Sequence, residues 1–176
     1  PARRCSEHKG TLMLLSRNRG KGEDLIHGPA FIFDLDGVIV HSTPLHIRAW
    51  ELYLRRHGIE IPPGTIETRM LGKHNRDCVI ALFGDGLSDD VIARHGRDKE
   101  ALYRELMAPR LEEFLVPGLK DFLARHAGHP LAVASNAEPA NVDFVLEGAS
   151  LLRSFPVVIN GHQVEQPKPN PEVFLT

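Results

Sequence analysis

The sequence predicts an α/β protein in which a parallel sheet is interrupted by a long, all-helical insertion. Three observations predict it. Short apolar runs at residues 30–33 and 131–135 have the length and apolarity of buried parallel strands, and residues 156–159 read as a third strand. Helical patterns alternate with the later runs, as right-handed crossover connections require. Between the first and second runs, from Pro44 to about Leu115, the pattern is helical throughout.

Each element has its own signal. Ala30 to Phe33 is an apolar run that ends in acidic residues, as expected where a strand opens into a site. Thr43 is placed to cap a helix with Pro44 at its first position; Leu45, Ala49, Trp50, Leu52 and Tyr53 are its apolar positions, and Gly58 stops it. Asn75 is expected to cap a second helix through Val79, Ile80, Leu82 and Phe83, and Ser88 a third that runs toward Met107. Val116-Pro117-Gly118 breaks the helical pattern. A helix near Leu119 to His126, the second strand at 131–135, a helix opened by Pro139 and ending near Gly148, and a third strand at 156–159 follow. Asn170-Pro171 starts a last helix. The expected organisation is a leader at residues 1–28, a core at 29–43 and 116–176, and a helical cap at 44–115.

Composition sets the broad class. With 176 residues, a quarter of them charged, 42% apolar and a formal net charge of -2, the chain reads as an ordinary globular protein. No strong field for nucleic acid or a membrane surface follows, so neither is expected as a partner. The leader is rich in Arg, Lys, Gly and Ser with little apolar periodicity, which argues for a loose, solvated tail. No apolar run approaches the ~18 residues of a membrane span, and Leu12 to Leu15 lies between basic segments without a cleavage pattern. Cys5 and Cys78 stand far apart and suggest neither a CxxC site nor a disulfide framework, which makes a reducing, cytoplasmic setting the expectation.

The chemistry lies at the strand ends. Asp34 and Asp36 are two apart, so past the end of a strand both can reach one pocket. Paired carboxylates repel unless a cation intervenes, and Mg²⁺ suits oxygen ligands shared with water and substrate phosphate. One carboxylate, Asp34, is then suited to attack phosphorus, and the other, Asp36, to protonate the departing oxygen and deprotonate the incoming one. Gly37 is expected to let the backbone approach the site closely. The alternatives are a pair of turn carboxylates, or a calcium loop; the latter wants Gly sixth and Glu twelfth from Asp34, where this chain has Ile39 and Leu45. Ser135 with Asn136 follows the second strand, where hydroxyl, amide and N–H donors are suited to phosphate oxygens. Lys168, between Pro167 and Pro169, sits in a stiff loop that can aim its ammonium at the same anion.

In these residues the chain resembles the haloacid dehalogenase-like hydrolase superfamily. Phe33-Asp34-Leu35-Asp36-Gly37-Val38-Ile39 matches its first motif, Ser135 its second and Lys168 its third, and the resemblance spans residues 30–176. The helical insertion is similar to the cap of the β-phosphoglucomutase-like group, as are His46 in His46-Ile47-Arg48-Ala49-Trp50 and Arg76 in Gly72-Lys73-His74-Asn75-Arg76-Asp77. The resemblance implies a Rossmann-like core with a mobile cap, Mg²⁺ held by Asp34 and Asp36, Asp34 as nucleophile, Asp36 as acid/base, and Ser135 and Lys168 holding the phosphoryl group. It implies substrate contacts by His46, Lys99 and Arg76, with Asn136 beside them. Lys99 and Tyr103, four apart, share a helix face. For His46, Lys99 and Arg76 the alternative is a solvated place on a helix surface.

The superfamily's name does not fix the reaction. Halide leaves without a proton, so an acid at Asp36 favours phosphoryl chemistry. Two departures stand out: His41 precedes Ser42 where many relatives carry an Asp, and the chain stops at Thr176, before the acidic fourth motif that completes the metal site in relatives. The sheet is accordingly expected to be incomplete, and this stretch alone to be of low stability and activity. The leading expectation is a phosphatase for a small phosphorylated metabolite, such as a sugar phosphate, by way of an aspartyl-phosphate. A phosphomutase and a noncatalytic remnant that binds a phosphorylated ligand are the alternatives. Oligomeric state and substrate are not legible.

Overall fold

The computed structural model describes residues 28–70 and 73–176. The expected leader, apart from Gly28, lies outside the described residues, as does Gly72 of the Gly72–Asp77 segment.

The described residues form an α/β fold around a three-stranded parallel sheet in the order β1 (Phe31–Phe33), β2 (Leu131–Ser135), β3 (Val157–Asn160). Phe31 pairs with Leu131 and Phe33 with Val133, while Ala132 pairs with Val157 and Ser135 with Asn160. β2 and β3 therefore end at one level and β1 two residues short of it, and the loops after all three leave the same edge of the sheet. Phe31 and Phe33 meet Phe122 edge-on, and Phe33 also meets Phe155. With Val133, Val142 and Val145, all almost fully buried, these rings make the core under the sheet.

Among the described residues, five α-helices fill the insertion that follows β1: α1 (Thr43–Arg56), α2 (Thr65–Arg69), α3 (Asn75–Phe83), α4 (Asp89–Met107) and α5 (Leu111–Phe114). Pro44 fits the first turn of α1 because its missing N–H would have had no partner there. Ala49, Trp50, Tyr53 and Leu54 form the buried stripe that packs along α4. Helix α6 (Leu119–Arg125) leads into β2, and α7 (Pro139–Gly148) links β2 to β3. The two chain crossings between sheet and helices run side by side. Val40 and Leu115 form an antiparallel bridge, the His41 N–H donates to the Phe114 carbonyl at 2.7 Å, and the Val116 N–H to Ile39 at 3.0 Å.

Several expectations are corrected. Ser42 rather than Thr43 precedes α1, and His74 rather than Asn75 precedes α3. Helix α2 was not foreseen, because its five residues are too few to show a period. The third strand starts at Val157 rather than Pro156 and, among the described residues, pairs only with β2, so Val157 is half exposed. The expected last helix is a single 3₁₀ turn, Pro171–Phe174, whose Asn170 side chain accepts from the Glu172 N–H. No described helix is long and apolar enough to cross a membrane, and the thiol of Cys78 is free and buried.

Candidate active site

Asp34 is the first residue beyond β1, Ser135 the last of β2, and Lys168 returns on the loop after β3. The Lys168 ammonium ties the three together. It donates to the Ala134 carbonyl at 2.7 Å and lies 3.1 Å from the Asp34 carboxylate. Asn136 holds this loop by its backbone: its Oδ1 accepts from the Lys168 N–H and its Nδ2 donates to the Lys168 carbonyl, both at 3.0 Å. The Asn136 side chain, expected as a substrate contact, is thus used to hold Lys168, with one N–H of its amide left over. Ser135 Oγ is buried and accepts from the Ala137 N–H at 3.0 Å, which leaves its hydroxyl proton free to be donated.

A tight turn positions the two carboxylates. The Leu35 carbonyl accepts from the N–H groups of Ile39 and Val40 at 2.9 and 3.1 Å, and the Gly37 N–H donates to Val40 at 2.8 Å. Gly37 has φ +78°, and a Cβ there would meet nothing within 4 Å. The left-handed backbone conformation is by itself a reason for glycine there. The side chains of Asp34 and Asp36 are each about two-fifths exposed, at 42% and 40%.

On the helical side, His46 Nε2 is 3.9 Å from Asp36 Oδ1. The ring stacks on Tyr103, with centroids 3.9 Å apart, and its Nδ1 is 3.2 Å from the Lys99 ammonium. Lys99 is only 2% exposed; it is paired with Glu100 Oε1 at 2.6 Å and lies over the Trp50 ring. That burial excludes the alternative of a solvated lysine on a helix surface. Glu100 also accepts from Asn75 Nδ2 and Asn141 Nδ2, each at 2.8 Å, and Arg104 donates to Asn141 Oδ1 at 2.7 Å. Arg76 is not brought to this cluster: it pairs with Asp89 at 2.7 Å on the outer surface, and its neighbour Asn75 faces inward instead.

The electrostatics follow from this packing. Loss of hydration pushes the Asp36 carboxyl above its ordinary range even though part of the side chain reaches solvent; the nearby Ser42 hydroxyl and Lys99 oppose the shift, and Asp34 and Glu100 add to it. Ser42 Oγ is buried and makes no hydrogen bond, so it stands beside that carboxyl as an uncommitted donor. Burial and Lys99 lower the His46 imidazole to about 4, against the pull of Glu100. It is therefore neutral near pH 7. Burial would raise Glu100, but Lys99, His46 and its hydrogen bonds outweigh it and hold the carboxyl below its ordinary value.

Sequence reasoning missed Glu100, Asn75 and Asn141. A signal existed for Glu100: Ile92, Gly96, Lys99, Glu100, Tyr103 and Met107 fall at the spacing of a buried helical stripe, which puts two charged residues where apolar ones belong. Neighbouring residues on a helix seldom face one another, so nothing in the spacing announced that Lys99 and Glu100 pair.

Asp34 and Asp36 form an oxygen-only donor set that suits Mg²⁺, which is commonly held by one or two carboxylates with water and substrate phosphate. Asp34 adds to the upward shift that burial imposes on Asp36, a repulsion that a divalent cation would relieve. Among the described residues no three His, Cys, Asp or Glu side chains gather into a larger ligand cluster.

Residues 29–176 match the family model of haloacid dehalogenase-like hydrolases. The chain belongs to this family. Within it the chain is 28% identical over 149 residues to the probable phosphatase IndB of Dickeya dadantii, across 84% of this chain and 65% of that protein. It is 25% identical over 157 residues to the β-phosphoglucomutase of Bacillus subtilis, across 84% and 67% of the two. The crystal structure of a β-phosphoglucomutase from Clostridium difficile superposes with a TM-score of 0.69 at 24% identity, covering 83% of this chain and 67% of that one, which shows the shared fold. The chain thus spans about two-thirds of the length of these relatives.

Proposed function

We propose that this haloacid dehalogenase-like protein is a Mg²⁺-dependent phosphatase for a small phosphorylated metabolite, with a sugar phosphate the best fit, and that it works through an aspartyl-phosphate on Asp34. One observation carries this reading: a single ammonium, Lys168, bridges the Asp34 carboxylate and the end of β2, next to the buried Ser135 hydroxyl. That is a cradle for an anion built around a nucleophile. The names of the relatives, a phosphatase and a sugar-phosphate mutase, support the substrate class.

In this reading Lys168 and Ser135 hold the phosphoryl oxygens while an Asp34 oxygen forms a bond to phosphorus and the ester oxygen leaves. Asp36, whose raised pKa favours keeping a proton, gives that proton to the leaving oxygen. Asp36 then takes a proton from water as the water attacks phosphorus, which frees phosphate and restores Asp34. Magnesium held by Asp34 and Asp36 would supply charge neutralisation for the phosphoryl oxygens. The helices at 44–115 act as a cap that moves on the paired crossings at 39–41 and 114–116, excludes bulk water and brings His46 to Asp36. The buried free thiol of Cys78 agrees with a reducing, cytoplasmic setting.

The test is product analysis with hexose monophosphates and Mg²⁺. A phosphatase releases inorganic phosphate; formation of an isomeric sugar phosphate without release would replace this reading with a phosphomutase.

A further inference from the structure

An acid that protonates a leaving oxygen must touch it. On the reading above, the leaving group therefore lies on the Asp36 side of phosphorus, where His46 stands 3.9 Å from the carboxylate. Directly behind His46 is the Lys99 ammonium, 3.2 Å from Nδ1. Alone, a buried lysine there would set a full positive charge beside the leaving group and favour one that carries its own negative charge.

Lys99 is not alone. Glu100 approaches it at 2.6 Å, and both residues are buried, at 2% and 5% exposure. Glu100 has little freedom to swing away, because Asn75 from α3 and Asn141 from α7 each donate to its carboxylate at 2.8 Å. The other nearby cations are directed elsewhere: Arg104 donates to Asn141, and Arg76 faces Asp89. What faces the leaving group is thus a charge-balanced wall rich in donors and acceptors.

We propose that Glu100 is a specificity-determining residue: by neutralising Lys99 beside Asp36, it selects phosphate monoesters whose leaving group is an uncharged, polyhydroxylated alcohol over those whose leaving group carries a carboxylate or a second phosphate. The inference rests on the phosphatase reading and names the substrate class within it. An unneutralised lysine would reverse the preference, since discrimination depends on the charge left unpaired when the wrong group occupies the site.

The experiment compares kcat/KM for a hexose 1-phosphate, 2-phosphoglycolate and a hexose 1,6-bisphosphate in the wild type, in Glu100→Gln and in the double variant Lys99→Met/Glu100→Gln. The wild type is expected to prefer the hexose monophosphate. Glu100→Gln keeps the side chain's size but exposes the lysine charge, and should shift the ratio toward both anionic leaving groups by roughly tenfold. The double variant, neutral again, should return most of the way. A wild type that prefers an anionic leaving group overturns the proposal, and this arm needs no variant to fold. A folded Glu100→Gln protein with an unchanged ratio overturns it as well. Phosphate release from any of the three substrates upholds the phosphatase reading whatever the ratio; release from none removes that reading and the proposal together.

Discussion

The Lys168 ammonium lies 3.1 Å from the Asp34 carboxylate, although the two residues sit on loops that follow the first and third strands. Because β2 lies between those strands, the lysine must reach across its end, and its 2.7 Å bond to the Ala134 carbonyl marks the crossing point. Its direction is set from behind by Asn136, which holds the Lys168 N–H and carbonyl at once.

Asn136→Ala should therefore damage catalysis without touching the phosphoryl group. Freed from both hydrogen bonds, the loop no longer aims Lys168, and displacements of about 1 Å cost about 10²-fold in rate. Steady-state kinetics should show a fall of about 10- to 100-fold in kcat/KM, with Lys168→Met falling at least as far. Wild-type kinetics in Asn136→Ala would dismiss the clamp.

Asn141 joins α7 to the helical insertion by accepting from Arg104 at 2.7 Å and donating to Glu100 at 2.8 Å. Asn141→Ala leaves a buried carboxylate and a guanidinium each short of a partner. The loss is about 1–3 kcal/mol of stability, as for other unsatisfied buried polar groups. Urea unfolding should report it as a lower midpoint at unchanged slope.

His95, on α4, lies between Tyr53, whose hydroxyl is 2.9 Å from Nδ1, and the rings of His57 and Phe83. Burial lowers its pKa first, with His57 and Arg94 adding and Asp98 opposing. The unfolded chain then binds a proton at a higher pH than the folded one, so the stability this residue contributes is complete above its ordinary value and is lost as pH falls below it. Thermal melts between about pH 7.5 and about pH 5, which bracket the ordinary histidine range, should show a smaller fall for His95→Gln than for the wild type. An identical fall in both would remove His95 from the account.

Gly37 lies in the turn just after the two carboxylates. With φ +78° and open space around a built Cβ, alanine there should cost only the left-handed backbone penalty, about 1–2 kcal/mol. Circular-dichroism melts measure it; a loss several times larger would mean that crowding, not conformation, requires the glycine.

Much of this was legible in advance because it follows from local rules. Leu131–Ser135 and Pro139–Gly148 fall where an unbroken apolar run and a helix-opening proline put them. Asp34, Asp36 and Lys168 converge because strand ends in a parallel sheet share one edge. What failed depends on tertiary placement. Arg76 and Asn75 are adjacent at the start of α3, and one position of helical rotation decides which faces the cluster and which faces Asp89. The hold of Asn136 on the Lys168 backbone was not legible, because it depends on a loop that returns only after β3. The pairing of Lys99 with Glu100 needed two amides from other helices to hold the carboxylate in place.

The central claim is that Asp34 attacks phosphorus, and the most direct measurement is mass spectrometry of the protein quenched in acid during turnover of a hexose phosphate with Mg²⁺. The account predicts one added phosphoryl group, labile to base and hydroxylamine, on the peptide that carries Asp34, and neither adduct nor phosphate release in Asp34→Asn. An adduct on another residue, or sustained phosphate release by folded Asp34→Asn, would contradict it.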